Sequence, residues 1–585
     1  MPILRNMDKK NYLIANIIPL IPLPPNSPDY FTYFSEIPIS KGSLVEINFR
    51  KKNVLGIVYE IENLEKARKD ILEILPKIKK VIRVIKEKSL IDEDEFEFAK
   101  FLSNYFGFSY SSVFKFFFFP SKKFLDLNLE ELKTKEKKAF KINFFEKLNS
   151  KILRKKRNLI IIPEKSFSKE VEEFLKKEKL SYKIFIPPWS KSKIEEISKE
   201  LGESKKISLI VSKNLIFLPW KNIDQIIVYR DGSFFYYDSF KKINFDYREI
   251  IKKLAEIKKV EITYIDKFPS LEKIKELKIK PLLNLNVHIL TSLDEALESM
   301  KNFSKVIVFF PQKISSSARC LNCFHLLKCP KCEGEIFFDE GKFFCFQCLK
   351  EIKLEKNECP FCLKPLEISF KKIGAKVLYH HLKKNYQEVY LAEKKGKKFF
   401  ENLEKKEKFI LLGSLSLVSG YLKEAEVSYF FNFENFYLSS DPFLREKYLR
   451  ILNFLKEKTK MIFLISSIRN PEWEKSFLKG DYIEKLLKER ELLRLNPFYK
   501  VIKLIKGSSD FYFLQNNMVK ISKELKEKFK EKNVEVLGPI FSKPYRIKKR
   551  FFLEIILRSQ KEEIRIRETL KEYGFEKIKI NPLEI

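Results

Sequence analysis

All eight cysteines of this 585-residue chain lie between Cys320 and Cys362, as four Cys-x-x-Cys pairs. No other feature restricts the fold as much, because each such turn presents two sulfurs to one metal ion. We find no convincing targeting segment or membrane span, so we expect a cytoplasmic protein, in which disulfides are rare. Four pairs supply the thiolates of two tetrahedral zinc sites. Both zinc ions would be structural, because sulfur fills every coordination position.

The four pairs can combine in three ways. Joining the first pair to the second leaves a loop of only five residues, below the usual ribbon spacing of about 12–20. Between the second and third pairs, EGEIFFDEGKFF is typical of a β-hairpin around Asp339-Glu340-Gly341. We therefore predict a nested arrangement. Its ligands are Cys320, Cys323, Cys359 and Cys362 for zinc 1, and Cys329, Cys332, Cys345 and Cys348 for zinc 2.

The composition favours a globular protein with a polyanionic partner. The chain is 44% hydrophobic and 33% charged, and its formal net charge is +36. Such a charge points to nucleic acid first and to an acidic membrane second. Part of the lysine excess is also what A+T-rich coding would produce. Charge alone therefore does not decide between these partners.

The apolar runs indicate an α/β multidomain protein. From residue 157 to about 468, short β-rich runs alternate with amphipathic Lys/Glu-rich segments, which is typical of parallel sheets covered by helices. The regions before and after differ from this pattern. The predicted divisions are a β-rich domain at 1–118, a basic linker at 119–156, a first lobe at 157–295, a second lobe at 296–494 with a zinc insertion at 318–368, and a small α+β domain at 495–585.

Several segments resemble the PriA family of bacterial replication-restart helicases. They include YFTYF with KGSLVEINFRKKNVLGIVYEI, LIVSKNLIFLPWKNIDQIIVYRDG, the CPKC and ECPFC turns, FILLGSLSLVSG, and VLGPIFSKPYRIKKRFFLEIIL. The resemblance implies an N-terminal domain that binds DNA 3′ ends, two RecA-like helicase lobes and a C-terminal domain of the same family. It also implies forked DNA as substrate, and other primosome or helicase-loading proteins as partners.

The motifs with which that family hydrolyses ATP are missing at the matching positions. The chain has no G-x-x-x-x-G-K-[ST] loop, and the segment that would carry it is shortened. DEEH is replaced by Tyr229–Gly232, SAT by Asp266–Phe268, and QVAGRAGR by Phe454–Lys460, which has no arginine. We therefore expect degenerate lobes with no catalytic residues and no ATP or Mg²⁺ site. Residues 119–156 are also too short for the family's winged-helix domain.

Two surfaces are predicted to contact DNA. The resemblance assigns the pocket for a 3′ end to Phe31, Thr32, Tyr33, Arg50 and Lys79. Aromatic faces there would stack on a base and cations would hold phosphate, although Thr32 replaces an aspartate and Arg50 a glycine. Near the C-terminus, KPYRIKKRFF interleaves cations with aromatics. We predict DNA contacts there from Lys543, Arg546, Lys548, Lys549 and Arg550.

The sequence thus favours a zinc- and DNA-binding replication-restart protein that recognises forked DNA without ATPase or helicase activity. Two other functions stay open. One is an active ATP-dependent 3′→5′ helicase whose motifs have diverged. The other is a zinc-ribbon nucleic-acid-binding scaffold outside replication. Nucleotide-dependent strand separation distinguishes the first alternative, and competition between forked DNA and structured RNA distinguishes the second.

Overall fold

The computed structural model describes residues 13–582 except 64–77, 121–139, 155, 204, 281–284, 312–317, 321–322, 324, 326, 332, 340–341, 346–349, 353–357, 366–367, 371–374, 440, 548, 561–563, 565 and 567–572. Along the chain it contains a β-barrel, two α/β lobes, a cysteine-rich insertion and a C-terminal α+β domain. Within these described ranges, none of the helices is both long and apolar enough to cross a membrane.

The N-terminal region forms a closed barrel in the order β1-β2-β5-β3-β4. Its strands are β1 (Leu13–Pro19), β2 (Phe31–Ser35), β3 (Leu44–Phe49), β4 (Lys52–Asn63) and β5 (Lys79–Lys86). Small and β-branched side chains such as Ala15, Val45 and Val58 fill the interior. Arg50 and Lys51 connect β3 to β4 and both have positive φ, 49° and 64°, as a tight primed hairpin turn requires.

Aromatic helices join the barrel to the first lobe. They are α1 (Glu93–Phe106), α2 (Tyr110–Val113) and a π-helical turn at Phe114–Phe118. A capping box between Asp92 and Glu95 begins α1. The buried carboxylate of Glu95 also contacts Lys221 and Lys258 of the first lobe. Because a buried charge needs a partner, this contact ties the barrel to the lobe.

The first lobe (lobe 1) is a six-stranded sheet in the order β6-β13-β10-β7-β9-β8, and its paired strands are parallel. Its strands are β6 (Ile142–Phe145), β7 (Asn158–Ile162), β8 (Tyr182–Phe185), β9 (Ser208–Ser212), β10 (Gln225–Tyr229) and β13 (Glu261–Ile265). Its helices are α3 (Ser150–Leu153), α4 (Ser168–Lys177), α5 (Lys191–Gly202), α6 (Tyr247–Lys258) and α7 (Leu271–Leu277). The central strands β7 and β10 are buried along their whole length, as a sheet covered on both faces requires.

The second lobe (lobe 2) repeats this architecture in the order β14-β24-β23-β15-β22-β21. Its strands are β14 (Val287–Leu290), β15 (Lys305–Phe309), β21 (Val389–Leu391), β22 (Phe409–Gly413), β23 (Ala425–Phe430) and β24 (Thr459–Ile465). Its helices are α8 (Leu293–Met300), α9 (Ala375–Asn385), α10 (Lys397–Glu404), α11 (Glu434–Leu438), α12 (Pro442–Lys458), α13 (Pro471–Lys479) and α14 (Tyr482–Leu492). One apolar cluster includes Ile160 and Ile227 of lobe 1 together with Ile307 and Leu411 of lobe 2. The two lobes therefore share a core.

The cysteine-rich insertion lies between β15 and α9. Its outer strands β16 (Ala318–Cys320) and β20 (Ile368–Phe370) pair with each other. Inside them, β17 (Ile336–Asp339), β18 (Lys342–Cys345) and β19 (Glu351–Ile352) form a small antiparallel sheet. The predicted hairpin is confirmed, because β17 pairs with β18 from Ile336↔Cys345 to Asp339↔Lys342. Two of its three predicted turn residues, Glu340 and Gly341, lie outside the described residues.

The C-terminal domain has a six-stranded sheet in the order β11-β12-β28-β25-β27-β26. Its strands are β11 (Tyr237–Phe240), β12 (Ile243–Asp246), β25 (Lys500–Ser508), β26 (Val534–Ile547), β27 (Arg550–Ser559) and β28 (Lys577–Ile580). Helix α15 (Phe511–Lys528) packs on it through Leu514, Met518, Ile521 and Leu525. Two strands of this sheet come from the lobe 1 sequence.

The structure thus divides the chain differently from the sequence prediction at three places. Strand β6 and helix α3 fall within the predicted linker, yet β6 pairs with β13 in lobe 1. Strand β14 falls before residue 296, yet it pairs with β24 of lobe 2. The β11–β12 hairpin lies in the lobe 1 sequence but joins the C-terminal sheet through β28. Each difference is a pairing between distant segments, which local sequence patterns do not specify.

Candidate metal centre and nucleic-acid interface

The four thiols predicted for zinc 1 come together. The Sγ atoms of Cys320, Cys323, Cys359 and Cys362 all lie within 4.8 Å of one another. The Cys320–Cys362 and Cys323–Cys359 separations are 3.8 Å and 3.7 Å. Four sulfurs at about 2.3 Å from one zinc in a tetrahedron would be about 3.8 Å apart. The structure therefore brings together the two cysteine pairs assigned to zinc 1, and this set of four sulfurs could hold a metal ion. Its donor chemistry fits structural zinc.

The second predicted set is described only in part. Cys329 and Cys345 are buried and belong to one small apolar cluster with Leu327, Ile336 and Ile352. Cys332 and Cys348 lie outside the described residues. The combination predicted for zinc 2 therefore stays a prediction.

All four cysteine turns share one backbone hydrogen bond. In each, the N–H of the first cysteine donates to the carbonyl five residues later. The pairs are Cys320 with His325 at 2.9 Å, Cys329 with Gly334 at 2.7 Å, Cys345 with Lys350 at 3.1 Å, and Cys359 with Lys364 at 2.9 Å. In two turns a backbone N–H also points at the first sulfur, from Lys331 to Cys329 and from Phe361 to Cys359, each at 3.4 Å. The turn that builds the complete site is thus repeated in the half-described one.

Four of the five residues predicted for the 3′-end pocket, Phe31, Tyr33, Arg50 and Lys79, lie around Asn48 and Phe49 of the barrel. Tyr33 of β2 lies opposite Lys79 of β5. The Tyr33 hydroxyl donates to the Asn48 carbonyl at 3.1 Å, and Lys79 Nζ donates to Asn48 Oδ1 at 3.0 Å. The Phe31 ring meets Phe49 edge-on at 4.8 Å. Asn48 and Phe49 were not predicted, although they directly precede Arg50.

These residues differ in what they can offer a nucleotide. Tyr33 is 4% exposed, and burial raises the pKa of its hydroxyl to about 12. Its ring belongs to the barrel core and presents no face to a base. Phe31 is half-buried. The Thr32 hydroxyl donates to Asn16 Oδ1 at 3.0 Å, and the Arg50 guanidinium lies 5.4 Å from the Phe49 ring.

The predicted C-terminal cations lie at the tip of the β26–β27 hairpin. Arg546 lies 5.2 Å from the Phe551 ring and 3.6 Å from Glu333 of the cysteine-rich insertion. Arg550 contacts Glu576 and donates to the Gly507 carbonyl at 2.8 Å. Lys549 is exposed. Lys548 and the side chain of Lys543 lie outside the described residues.

An ion-pair network occupies the boundary between the lobes at the positions of the missing motifs. Arg230 donates to Glu457 at 2.6 Å and to Glu170 at 3.2 Å. Lys458 donates to Glu170 at 3.1 Å, and the Tyr229 hydroxyl donates to the same carboxylate at 3.0 Å. Burial disfavours the charge on Glu170, but Arg230 and Lys458 outweigh it and keep its pKa below the ordinary value. Glu457 and Lys458 belong to lobe 2, so both pairs join the lobes.

Two acids at the positions matched to DEEH and SAT, Asp231 and Asp266, accept hydrogen bonds from the protein backbone. Asp231 accepts from the Ser270 N–H at 2.8 Å. Asp266 accepts from the N–H groups of Gly232 at 2.7 Å and Phe268 at 3.0 Å, and burial raises its pKa to about 6. Both carboxylates therefore stabilise loops of lobe 1. Two cavities adjoin at this boundary. One has a volume of about 50 Å³ and is lined by residues that include Arg230, Asp266 and Phe454. The other has a volume of about 380 Å³, shares Gly232 and Arg450 with the first, and is also lined by residues of the C-terminal sheet.

Comparisons with known proteins confirm the resemblance. Residues 20–118 match the family model of the PriA 3′ DNA-binding domain. Two proteins called Replication restart protein PriA, from Helicobacter pylori strains 26695 and J99, are each 24% identical over 368 residues. The match covers 54% of this chain and 56% of each relative, so the chain spans about half the length of the curated relatives it matches.

Among solved structures, S. cerevisiae Dbp5 bound to RNA and ADP BeF3 gives a TM-score of 0.31 at 10% identity, covering 68% of this chain and 92% of that one. T4 UvsW gives 0.16 at 10% identity, with 73% and 90% covered. Neither score carries an argument about fold or function. The family model and the curated relatives are what show that this chain is similar to the PriA replication-restart proteins.

Proposed function

We propose that this chain binds branched DNA at replication forks during replication restart and does so without hydrolysing ATP. In this proposal the two lobes descend from a RecA-like helicase but act as a fixed frame. They hold the barrel, the zinc insertion and the C-terminal domain in one arrangement.

The ion pairs that join the lobes are the observation that carries the proposal. Phosphoryl transfer depends on positioned phosphate ligands and metal ions. Here the segment between β6 and α3 is only four residues long, Glu146–Asn149. Pockets for drug-sized ligands have volumes of about 300–1,000 Å³, whereas the cavity at the ion pairs has about 50 Å³. The adjoining cavity of about 380 Å³ has no residue of Glu146–Asn149 in its lining. In this proposal the ion pairs therefore replace the contacts that would hold a nucleotide.

Recognition of DNA is proposed from the matched barrel and the chain's charge. Phe31 offers a partly exposed ring, and Lys79 and Arg50 bring positive charge to the same end of the barrel. A terminal base can stack on such a ring while cations bind its phosphate. Because Tyr33 is buried, we expect one stacking contact and a modest preference for an exposed 3′ end.

We further propose two structural zinc ions per chain. The complete Cys₄ set supports the first, and the shared turn at Cys329 and Cys345 supports the second. Zinc would supply the folding free energy of an insertion whose own apolar cluster is small. The Arg546–Glu333 contact supports the view that the insertion and the C-terminal domain form one surface. We propose that this surface receives other primosome or helicase-loading proteins.

The decisive experiment combines fork binding and ATP hydrolysis on purified protein. We expect tighter binding to a three-way fork than to a blunt duplex of equal length at matched salt. We also expect no ATP turnover with or without DNA. DNA-stimulated turnover of about 1 s⁻¹, within the range of working kinases, would overturn the absence of ATPase activity. Equal affinity for fork and duplex would overturn fork recognition.

A further inference from the structure

The C-terminal domain exposes aromatic side chains that its core does not use. Tyr512 is 77% exposed and Phe513 is 62% exposed at the start of α15. Phe541 of β26 is 58% exposed. The inward face of α15 is already supplied by aliphatic side chains such as Leu514 and Met518. Exposed apolar patches of this kind usually mark an interaction site.

Two of these exposed rings, Tyr512 and Phe541, belong to a continuous series of ring contacts. Phe541 stacks on Phe511, with centroids 5.8 Å apart and planes 10° from parallel. Phe541 also meets Tyr545 edge-on at 5.7 Å, and Phe511 meets Tyr512 at 5.9 Å. We call Phe511, Tyr512, Phe541 and Tyr545 the aromatic platform. Phe541 and Tyr512 are its most exposed members.

A bulge in β26 places half of the platform. The pairing passes from Phe541↔Leu553 to Arg546↔Phe551. Strand β26 therefore advances five residues while β27 advances two, which leaves three extra residues in β26. Bulges re-aim side chains and are frequent near functional sites. This one lies beside the first turn of α15, where Phe541 reaches Phe511.

Positive charge borders the platform. Arg546 lies over Phe551, whose ring is 5.4 Å from Phe511. Exposed Lys549 and Arg550 follow at the hairpin tip. The acids paired with Arg546 and Arg550 are Glu333 and Glu576. Aromatic faces bordered by cations are the combination with which proteins bind single-stranded nucleic acid.

We propose that the aromatic platform binds an unpaired DNA strand by stacking bases on Phe541 and Tyr512. The claim rests on the proposed function and specifies which part of a branched substrate the C-terminal domain contacts. A duplex presents phosphates but hides its base faces, so the exposed rings favour an unpaired strand. The chain's net charge of +36 favours DNA over a protein strand added to the edge of β26.

The test compares three ligands: oligo-dT, an abasic strand of equal length, and a blunt duplex. The variant Phe541→Ala/Tyr512→Ala should bind oligo-dT about thirtyfold more weakly than the parent, or weaker still, as expected for loss of two base stacks. It should bind the abasic strand and the duplex as the parent does. The variant Phe541→Tyr/Tyr512→Phe keeps both ring faces and should bind oligo-dT normally. Leu492→Ala, which truncates a side chain that is 84% exposed on α14, is the matched control.

Two results would contradict the proposal that the aromatic platform binds an unpaired strand. One is unchanged oligo-dT affinity in Phe541→Ala/Tyr512→Ala, which is also the outcome if the patch receives a protein. The other is an equal loss on all three ligands, which would mean general damage to the domain. Fork preference of the parent, measured in the same titrations, tests the proposed function separately. Strand binding by the platform can therefore be contradicted while fork preference is confirmed. Fork preference can equally be contradicted while strand binding by the platform is confirmed.

Discussion

Arg230 of lobe 1 donates to Glu457 of lobe 2 at 2.6 Å, across the boundary between the two lobes. Both side chains are mostly buried, with 16% and 13% exposed. The pair therefore joins the two lobes at a position that is largely shielded from water. Its neighbours Glu170 and Lys458 make a second link.

The Arg230–Glu457 pair should couple the stability of the lobes. Arg230→Ala leaves two carboxylates with less compensation, so we expect a loss of about 2 kcal/mol, between the values for surface and buried pairs. The double variant Arg230→Ala/Glu457→Ala should lose less than the sum of the single losses. Thermal melting of the four proteins measures this coupling. Strict additivity would show that the pair does not stabilise the boundary.

Gly420 of lobe 2 provides a second test of the close contact between the lobes. Its N–H donates to Ser166 Oγ at 3.1 Å, and a Cβ at this position would lie 2.5 Å from the Ser166 carbonyl oxygen. Gly420→Ala must push the lobes apart, and we expect a cost of about 1–3 kcal/mol. At Gly396 a Cβ would meet nothing within 4 Å. Gly396→Ala should therefore shift the melting temperature much less, and equal shifts would contradict the close approach.

The cysteine site shows how far the sequence alone could reach. Only three combinations of four pairs exist, and loop length together with the hairpin pattern selects one. The lobe strands were also predictable, because runs such as Asn158–Ile162 are apolar throughout. In contrast, the β11–β12 hairpin belongs to a sheet completed more than 300 residues later, at Lys577–Ile580. Pairing over that distance leaves no local signal.

The residues predicted to bind DNA were also only partly predictable from the sequence. Sequence reasoning placed Phe31, Tyr33 and Lys79 in one pocket, and they do lie together. It did not separate the partly exposed Phe31 from the buried Tyr33, because residues two apart in a strand lie on the same face and period-two alternation predicts the same burial for both. The aromatic platform was also missed. Its signals were the three consecutive aromatics at Phe511–Phe513 and Tyr545 within KPYRIKKRFF, and nothing local showed that a bulge in β26 brings them together.

Asp266 should make stability depend on pH. Burial raises its folded pKa to about 6 from an ordinary value of 3.8, so the folded state holds the proton more tightly than the unfolded state. Its contribution is then fully present below pH about 4 and is lost as pH rises through about 6. Asp266→Asn cannot ionise, and its cost should shrink by about 3 kcal/mol over this interval. Melting both proteins from pH 4 to 7 measures the change, and a cost independent of pH would contradict the raised pKa.

Zinc content should respond separately at the two sites. Cys359→Ser removes a ligand from the complete set, and Cys345→Ser removes one from the half-described set. Each variant should lose one of two zinc ions, because structural zinc is worth on the order of 10–16 kcal/mol in apparent binding free energy and requires all four ligands. Metal analysis of protein purified without chelator gives the stoichiometry. Loss of both ions in either variant would mean that the sites are not separate, and less than one zinc in the parent would contradict metal binding.

The hairpin-tip cations should set the salt dependence of duplex binding. Each phosphate neutralised by a cation adds roughly 0.9 to the slope of log affinity against log salt. Replacing Arg546, Lys549 and Arg550 by alanine should therefore flatten the slope by up to about 2.7, three contacts at about 0.9 each. The control replaces Lys176, Lys205 and Lys301, whose side chains are 61%, 72% and 60% exposed on the lobes. It removes the same formal charge from elsewhere on the surface. If both triple variants flatten the slope equally, the protein's overall charge binds the duplex and the hairpin tip has no special role.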